Sequence, residues 1–360
     1  MEKNNLLLMG WLCPAALSVL LALFCVTGCG IEFSQEPLFS SSKDEKSGAK
    51  AEEEKARAVS LACWNVQTFF DAVTDGTEYS DFTNSSKWTK EKYAGRLEKL
   101  CEVMTLLNSD VLVLEEIESE AVVQDIVNRL TDNTWNRKKN WQYACFAKEN
   151  GSAMGCAVFS RYELTELCVH SLDIQVHKEK QPSSRPIMQM TVIVGKKEFT
   201  LFVNHWKSKS GGEAETEIWR DWQESVLAEN MLKSLEQNQS PVVMCGDFNR
   251  SAEDFIPLNS DYQRDGGNLL LRRVSGEPAA VYSPWFNDNG TFATEIGSYY
   301  YDDNWERIDN FFFAGNIEVN QFQPVTEPPL ADEASIPQGY KVYTDSGCSD
   351  HLPLKCVITI

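Results

Sequence analysis

The residues in this chain equipped for chemistry are Asn65, Glu116, His205, Asp247, Asn249, Asp309, Asp350 and His351. Each stands at or beside the end of an apolar, strand-like run. The clearest run is Pro241–Arg250, Pro-Val-Val-Met-Cys-Gly-Asp-Phe-Asn-Arg, in which a short β-branched stretch delivers Gly246, Asp247 and Asn249. Asp247 and Asn249 are two apart, so they project to the same side if the chain stays extended. Taken alone, Gly-Asp-x-Asn is also ordinary turn chemistry. The histidines narrow the reading. Only four occur in the chain, and two of them, His205 and His351, end such runs. A solitary histidine usually has a structural role. Strand ends gathered on one rim would instead place all these groups in one cleft, where carboxylates, carboxamides and imidazoles serve acid–base and electrostatic catalysis.

The elements that must position them follow from periodicity. Helical spacing is expected over Trp88–Asn108, with Tyr93, Leu97, Leu100, Met104 and Leu107 on one face, over Ala121–Leu130, and over Glu213–Glu236, with Trp219, Trp222, Val226 and Leu232 inward. Strands are expected at Val59–Val66, Val111–Leu114, Trp141–Phe146, Gly155–Ser160, Leu164–Val169, Ile187–Val194, Phe199–Val203, Val242–Cys245, Asn310–Phe313 and Leu354–Ile360. Between Asp247 and Arg307 the chain reads as a long, loop-rich region.

The 360 residues are 42% hydrophobic, enough for one large domain or two modest ones with real cores. A net charge of −20 argues against a stoichiometric nucleic-acid coat, but not against an enzyme that holds a polyanion through a divalent cation. At the N-terminus, Lys3 precedes an apolar stretch from Leu6 to Phe24, and small residues follow before Cys29, the layout of a secretory leader. Val26-Thr27-Gly28-Cys29 resembles the lipobox of bacterial lipoproteins. The expected organisation is a leader over 1–28, a lipidated Cys29 opening a flexible tether over 29–58, and a globular domain over 59–360. This implies a chain lipid-anchored in the bacterial cell envelope, periplasmic or surface-exposed. The eight cysteines beyond Cys29 read as buried thiols acting as small hydrophobes.

The ordered series Trp64-Asn65, Leu114-Glu115-Glu116, Val203-Asn204-His205, Gly246-Asp247-Phe248-Asn249, Arg307-Ile308-Asp309 and Ser349-Asp350-His351-Leu352-Pro353 resembles the endonuclease/exonuclease/phosphatase superfamily, the deoxyribonuclease I-like proteins. The resemblance runs from about Val59 to Ile360. It departs at Gln67, where some members carry an acidic residue, and at Glu115, where Gln is frequent. It implies an α/β fold, a four-layer sandwich of two packed mixed sheets with helices outside, and hydrolysis of phosphate esters dependent on Mg²⁺ or Mn²⁺. The transition state concentrates negative charge, so such a site must supply a cation and hydrogen-bond donors.

By the same resemblance, Glu116 is the principal metal ligand, with Asn65 and Asp350 in or near the metal's surroundings. Asp247 positions or deprotonates the attacking water, or serves the leaving group, and Asn249 donates to the phosphate or nucleophile. His351, oriented by Asp309, forms a second pole, and His205 is a phosphate donor or general acid. Arg185, Asn204 and Lys207 are expected to contact the substrate's phosphates. The run Asn204-His205-Trp206-Lys207-Ser208-Lys209-Ser210 is similar to bacterial secreted nucleases of the superfamily, which makes nucleic acid the expected substrate, DNA before RNA. Sphingomyelinase-like or inositol-phosphate hydrolysis and a non-catalytic surface binding lipoprotein of the same fold are the alternatives; no obligate protein partner is inferred.

Overall fold

The computed structural model describes residues 56–83, 87–131, 141–172, 185–257 and 266–360, together with the backbone of 4–10 and 21–26. Cys29 and nearly all of the tether lie outside the described residues. Two eight-stranded mixed sheets form the body. Strands of the first follow one another in space as Glu318–Pro324, Leu354–Thr359, Ala58–Phe69, Val111–Ile117, Gly155–Ser160, Tyr143–Ala147, Asn4–Gly10 and Leu21–Val26. The second runs Ile256–Pro257, Asn268–Leu271, Ala279–Tyr282, Asp309–Ala314, Val242–Asp247, Lys197–His205, Ile187–Val194 and Glu163–His170.

Alternation along the strands builds the layers. Val59, Leu61 and Cys63 point into the core between the sheets, where they join Val203, Cys245 and Phe311. Their neighbours Ala62, Trp64 and Val66 point outward and pack with Leu100, Met104, Val123 and Ile126 of the helices Lys90–Leu107 and Glu120–Thr131. A third helix, Glu213–Asn238, covers the far face of the second sheet with Leu227, Ala228 and Met231. Helix, sheet, sheet and helix make the four-layer α/β sandwich. The first helix starts where Thr89 accepts the Lys92 N–H at 3.3 Å and stops where Asn108 turns left-handed at φ 46°.

Two expectations need correction. The inward face of Glu213–Asn238 is only partly the expected one: Val226 and Leu232 pack against the core, whereas Trp219 and Trp222 are half-buried and Arg220, Gln223 and Glu224 are buried. Tertiary partners explain the rotation. Gln223 accepts the Lys207 N–H at 2.8 Å, Arg220 donates to the Lys207 carbonyl at 3.0 Å, and Glu224 pairs with Arg250. The region between Asp247 and Arg307 is also not plain loop. It contributes three short strands to the second sheet and a separate hairpin, Tyr299–Tyr301 with Asn304–Glu306.

The apolar N-terminal stretch supplies two antiparallel strands at the edge of the first sheet, Asn4–Gly10 pairing with Tyr143–Ala147. Among the described residues no helix is long and apolar enough to cross a membrane. The cysteines from Cys63 to Cys356 are free thiols, all buried except the half-buried Cys168.

Candidate active site

Register assembles the site. The strands Lys197–His205 and Val242–Asp247 run parallel with Asp247 opposite His205, and the antiparallel neighbour Asp309–Ala314 places Asp309 opposite Asp247. His205, Asp247 and Asp309 therefore form one row at the rim of the second sheet. On the first sheet, Asn65 lies opposite Glu115. Asn65 bridges the two sheets, donating through its side-chain amide to Asp247 at 3.1 Å and to Glu116 at 3.4 Å. His351 completes the row with its Nδ1 at 2.8 Å from Asp309.

Local backbone explains why these residue types sit here. Gly246 has φ 130°, and a Cβ on it would meet the Asn204 carbonyl oxygen at 1.9 Å, so only glycine fits. Asn249 turns back at φ 47° and donates its N–H to Asp247 at 2.8 Å. Extension thus breaks after Asp247, and a turn, rather than strand alternation, returns Asn249 to the site. On the first sheet Gln67, Thr68 and Glu116 all have positive φ, forming a bulge between Asn65 and Phe69. Buried Arg96 donates to the carbonyls of Val66 and Thr68 at 3.0 Å and also to that of Gln67, while the Thr68 N–H bonds Glu116. Ser349 ties the two halves together, donating to the Asn65 carbonyl at 2.7 Å and accepting from the His351 N–H at 3.1 Å.

Electrostatics divide the two histidines. Burial, then the charges of Arg185 and His351, hold His205 well below the usual imidazole range, so it is neutral. Its Nε2 lies 3.6 Å from Glu116 and 3.7 Å from Asp247, beyond hydrogen-bond reach, and its Nδ1 has no partner. Burial also opposes charge on His351, but the Asp309 carboxylate and its hydrogen bond, followed by Asp350 and Asp247, push its pKa well above the usual value. His351 is the charged one. Asp247 is pushed up to about 7 by burial and by Asp309, against the pull of His351. Glu115 is fully buried, neither carboxyl oxygen has a partner, and burial raises it well above the carboxylate range.

The sequence-predicted residues do not all converge. Asn65, Glu116, His205, Asp247, Asn249, Asp309 and His351 are linked by the contacts above. Asp350 lies close enough for its carboxyl to be raised by burial and by Glu116, against the effect of His351. Half-buried Arg185 is felt electrostatically at His205. Asn204 is fully buried and accepts the Trp206 indole N–H at 3.1 Å, so its side chain holds the strand end. The physical reason is that neighbours on a strand face opposite sides, and His205 takes the cleft. Lys207 is turned onto its own loop, donating to the Ser208 and Ser210 carbonyls at 3.1 and 3.2 Å. Sequence reasoning missed Arg96 and the positioning role of Ser349. A lone buried arginine carries no periodic signal, although Ser349 sits inside a recognised motif.

A divalent cation fits this donor set. The Glu116 charge is felt at both Asp350 and Asp247, and burial together with like charge raises those two carboxyls. Clustered hard oxygen donors of this kind suit Mg²⁺ or Mn²⁺. Asp247, Asp309 and His351 also lie within 4.8 Å of one another, but the His351–Asp309 hydrogen bond makes that trio a proton-holding group.

Rim carboxylates and two imidazoles thus share one cleft at the edge of the sandwich. The model of the endonuclease/exonuclease/phosphatase family matches residues 60–327, and the chain belongs to that family. Nocturnin of Xenopus laevis is 27% identical over 213 residues, covering 55% of this chain and 50% of that protein. The chain thus spans about half the length of the curated relatives it matches. Truncated TDP2 of Caenorhabditis elegans has a TM-score of 0.54 at 14% identity, covering 84% of this chain and 98% of that one. ANGEL2, a 2′,3′-cyclic phosphatase, has a TM-score of 0.52 at 13% identity, covering 84% and 95%. These two likenesses establish the fold.

Proposed function

We propose that the protein is a Mg²⁺- or Mn²⁺-dependent phosphodiesterase that cleaves nucleic acid, DNA in preference to RNA. The observation that carries this reading is the opposite protonation of His205 and His351 on either side of an Asp247 poised near neutrality. Acid and base roles are separated when environments push paired groups apart. Family membership supports phosphoester hydrolysis.

Glu116 and Asp350 would hold the metal, with the Asn65 side chain beside Glu116; when bound, the ion would neutralise phosphate charge and activate water. Asp247, fixed by Asn65 and by the Asn249 N–H, takes the proton from the attacking water. His351, aligned by Asp309, presents a charged N–H to the phosphoryl oxygens as negative charge accumulates. Neutral His205 offers an uncharged donor from the other side, and Arg185 adds a cation. The purified protein, assayed with Mg²⁺ on plasmid DNA, RNA, sphingomyelin and inositol phosphates, should cut DNA fastest and lose that activity in chelator. Chelator-resistant cleavage would sink the metal mechanism; sphingomyelin as the sole substrate would replace the nuclease reading, and inactivity on all four would favour a binding lipoprotein.

We also propose that residues 1–28 are a leader, that Cys29 carries a lipid, and that 29–58 tether the domain to the bacterial envelope. Removal of the leader would take the strands Asn4–Gly10 and Leu21–Val26 with it and make Tyr143–Ala147 an edge strand. Metabolic labelling with a radioactive fatty acid should mark the wild type and not Cys29→Ser.

A further inference from the structure

The aromatic residues between Tyr282 and Trp305 divide into two sets. Trp285 and Phe286 are core, at 0% and 3% exposure. The hairpin Tyr299–Tyr301/Asn304–Glu306 is different. One of its faces is a mount: Tyr300 packs edge-on against Trp305 at 4.9 Å, and Trp305 rests on the core beneath the first sheet. Its other face presents Tyr299 and Tyr301, stacked with planes 10° apart and centroids at 6.3 Å, and Tyr301 is 63% exposed. The stack begins at the site itself, because Tyr299 lies 4.8 Å from the His351 ring and pairs with that residue in a β-bridge.

The hairpin is held firmly. Ser298, just before it, accepts the Leu352 N–H on its carbonyl at 2.7 Å and the Asp309 N–H on its hydroxyl at 3.1 Å. Across the cleft, Lys209 donates to Glu306 at 2.9 Å and pairs with Glu213 at 3.0 Å, so the hairpin is clamped to the loop that follows His205. This places Lys209 in a structural ion pair.

Charge selects what lies on the stack. Residues 299–306 carry Asp302, Asp303 and Glu306 and no lysine or arginine. A phosphate is repelled there, whereas an uncharged planar ring is accepted on the outer face of Tyr301. Cationic Arg185 lies instead where its charge reaches His205 and Lys207. Phosphate and base thus have separate places around one reacting centre.

We propose that the Tyr299–Tyr301 stack is a platform for the nucleobase next to the scissile phosphate, with Tyr301 as the contact and the Lys209–Glu306 pair as the clamp that positions it. The proposal rests on the nuclease reading and deepens it: the platform recognises a base by its aromatic face, independent of sequence. Stacking of one base on an aromatic side chain is worth about 1–3 kcal/mol, or about 5- to 150-fold in affinity.

The test compares full-length protein in detergent and saturating Mg²⁺ on a short single-stranded oligonucleotide and on the same oligonucleotide made abasic. Tyr301→Ala should raise KM for the base-bearing substrate by about 5- to 150-fold with kcat little changed, and should leave the abasic substrate unaffected. Tyr301→Phe should retain wild-type KM. Glu306→Gln, which loosens the clamp, should raise KM in the same direction and by less. An equal loss on both substrates, a loss in kcat alone, or unchanged KM in Tyr301→Ala would overturn the platform while leaving the nuclease reading intact. If the wild type cleaves no oligonucleotide, platform and nuclease reading fall together.

Discussion

Two clusters of charge lie a short distance apart in this molecule, and they are arranged on opposite principles. Beneath the helix Glu213–Asn238, Arg220, Arg250 and Arg272 meet Glu217, Asp221 and Glu224, three cations against three anions, and each arginine contacts a carboxylate within 3.1 Å. At the rim, Glu116, Asp247, Asp309 and Asp350 converge with the His351 cation and, near by, Arg185. The first cluster is closed: its charges satisfy one another and hold the helix against the loop carrying Asn249. The second is open, with anionic charge left for a cation and a substrate to complete. Balance marks a structural cluster and imbalance a chemical one, even though both contain buried charges.

The largest effects should come from breaking the open cluster. Asp247→Ala and His351→Ala should each lower kcat/KM by about 10³-fold or more, and the double variant should be little worse than the poorer single. Fully additive losses in steady-state kinetics would show that one of the two acts elsewhere. Breaking the closed cluster should show in stability. Arg250→Met leaves buried Glu224 with Arg272 as its remaining partner, and urea unfolding should report a loss of about 1–3 kcal/mol.

Smaller effects sharpen the contrast. Mg²⁺ should raise the Tm of the wild type by a few degrees, through binding to the native state, and hardly that of Glu116→Gln. The pH dependence has two limbs. Activity should rise as Asp247 ionises, near pH 7 before metal binding lowers that value, and fall at alkaline pH as His351 loses its proton. Asp309→Asn should bring the alkaline limb down, because Asp309 is the foremost group holding that proton. Asp247 has a folded pKa above its unfolded one, so its stabilising contribution is complete at low pH and lost as pH rises through about 7. Asp247→Asn should therefore unfold at a higher temperature than wild type at pH 8 and not at pH 4. The smallest expected change is at Glu115, whose raised pKa has the same sign: Glu115→Gln should keep near-wild-type activity and lose the alkaline part of the wild type's fall in Tm.

Much of this arrangement was legible in the sequence, for identifiable reasons. Short apolar runs such as Gly155–Ser160 and Ile187–Val194 are buried on both faces, so their strands match the expected bounds. The rim residues stand at the ends of such runs, where a polar group is conspicuous against its neighbours. What stayed hidden depended on distant partners. The buried side of Glu213–Asn238 is set by Lys207 and Arg250, which no local periodicity encodes. The hairpin at Tyr299 hid in a polar, aromatic stretch whose turn, Asp302-Asp303, lacks glycine although both residues have positive φ. Asn204 shares a motif with His205, and only the two-residue period of the strand shows that the two face opposite sides.

The parallel register of Lys197–His205 against Val242–Asp247 also bears on how such a chain can change over time. One residue inserted within 198–204 or 242–246 would swap inward and outward positions downstream and carry His205 or Asp247 off the rim. Length variation is therefore barred from these two segments. It is free to accumulate where the chain turns outside the two sheets, as at Asn287–Gly290. A lineage can remodel the borders of this cleft by adding or trimming loops while the alignment of its reacting row stays locked by the backbone ladder.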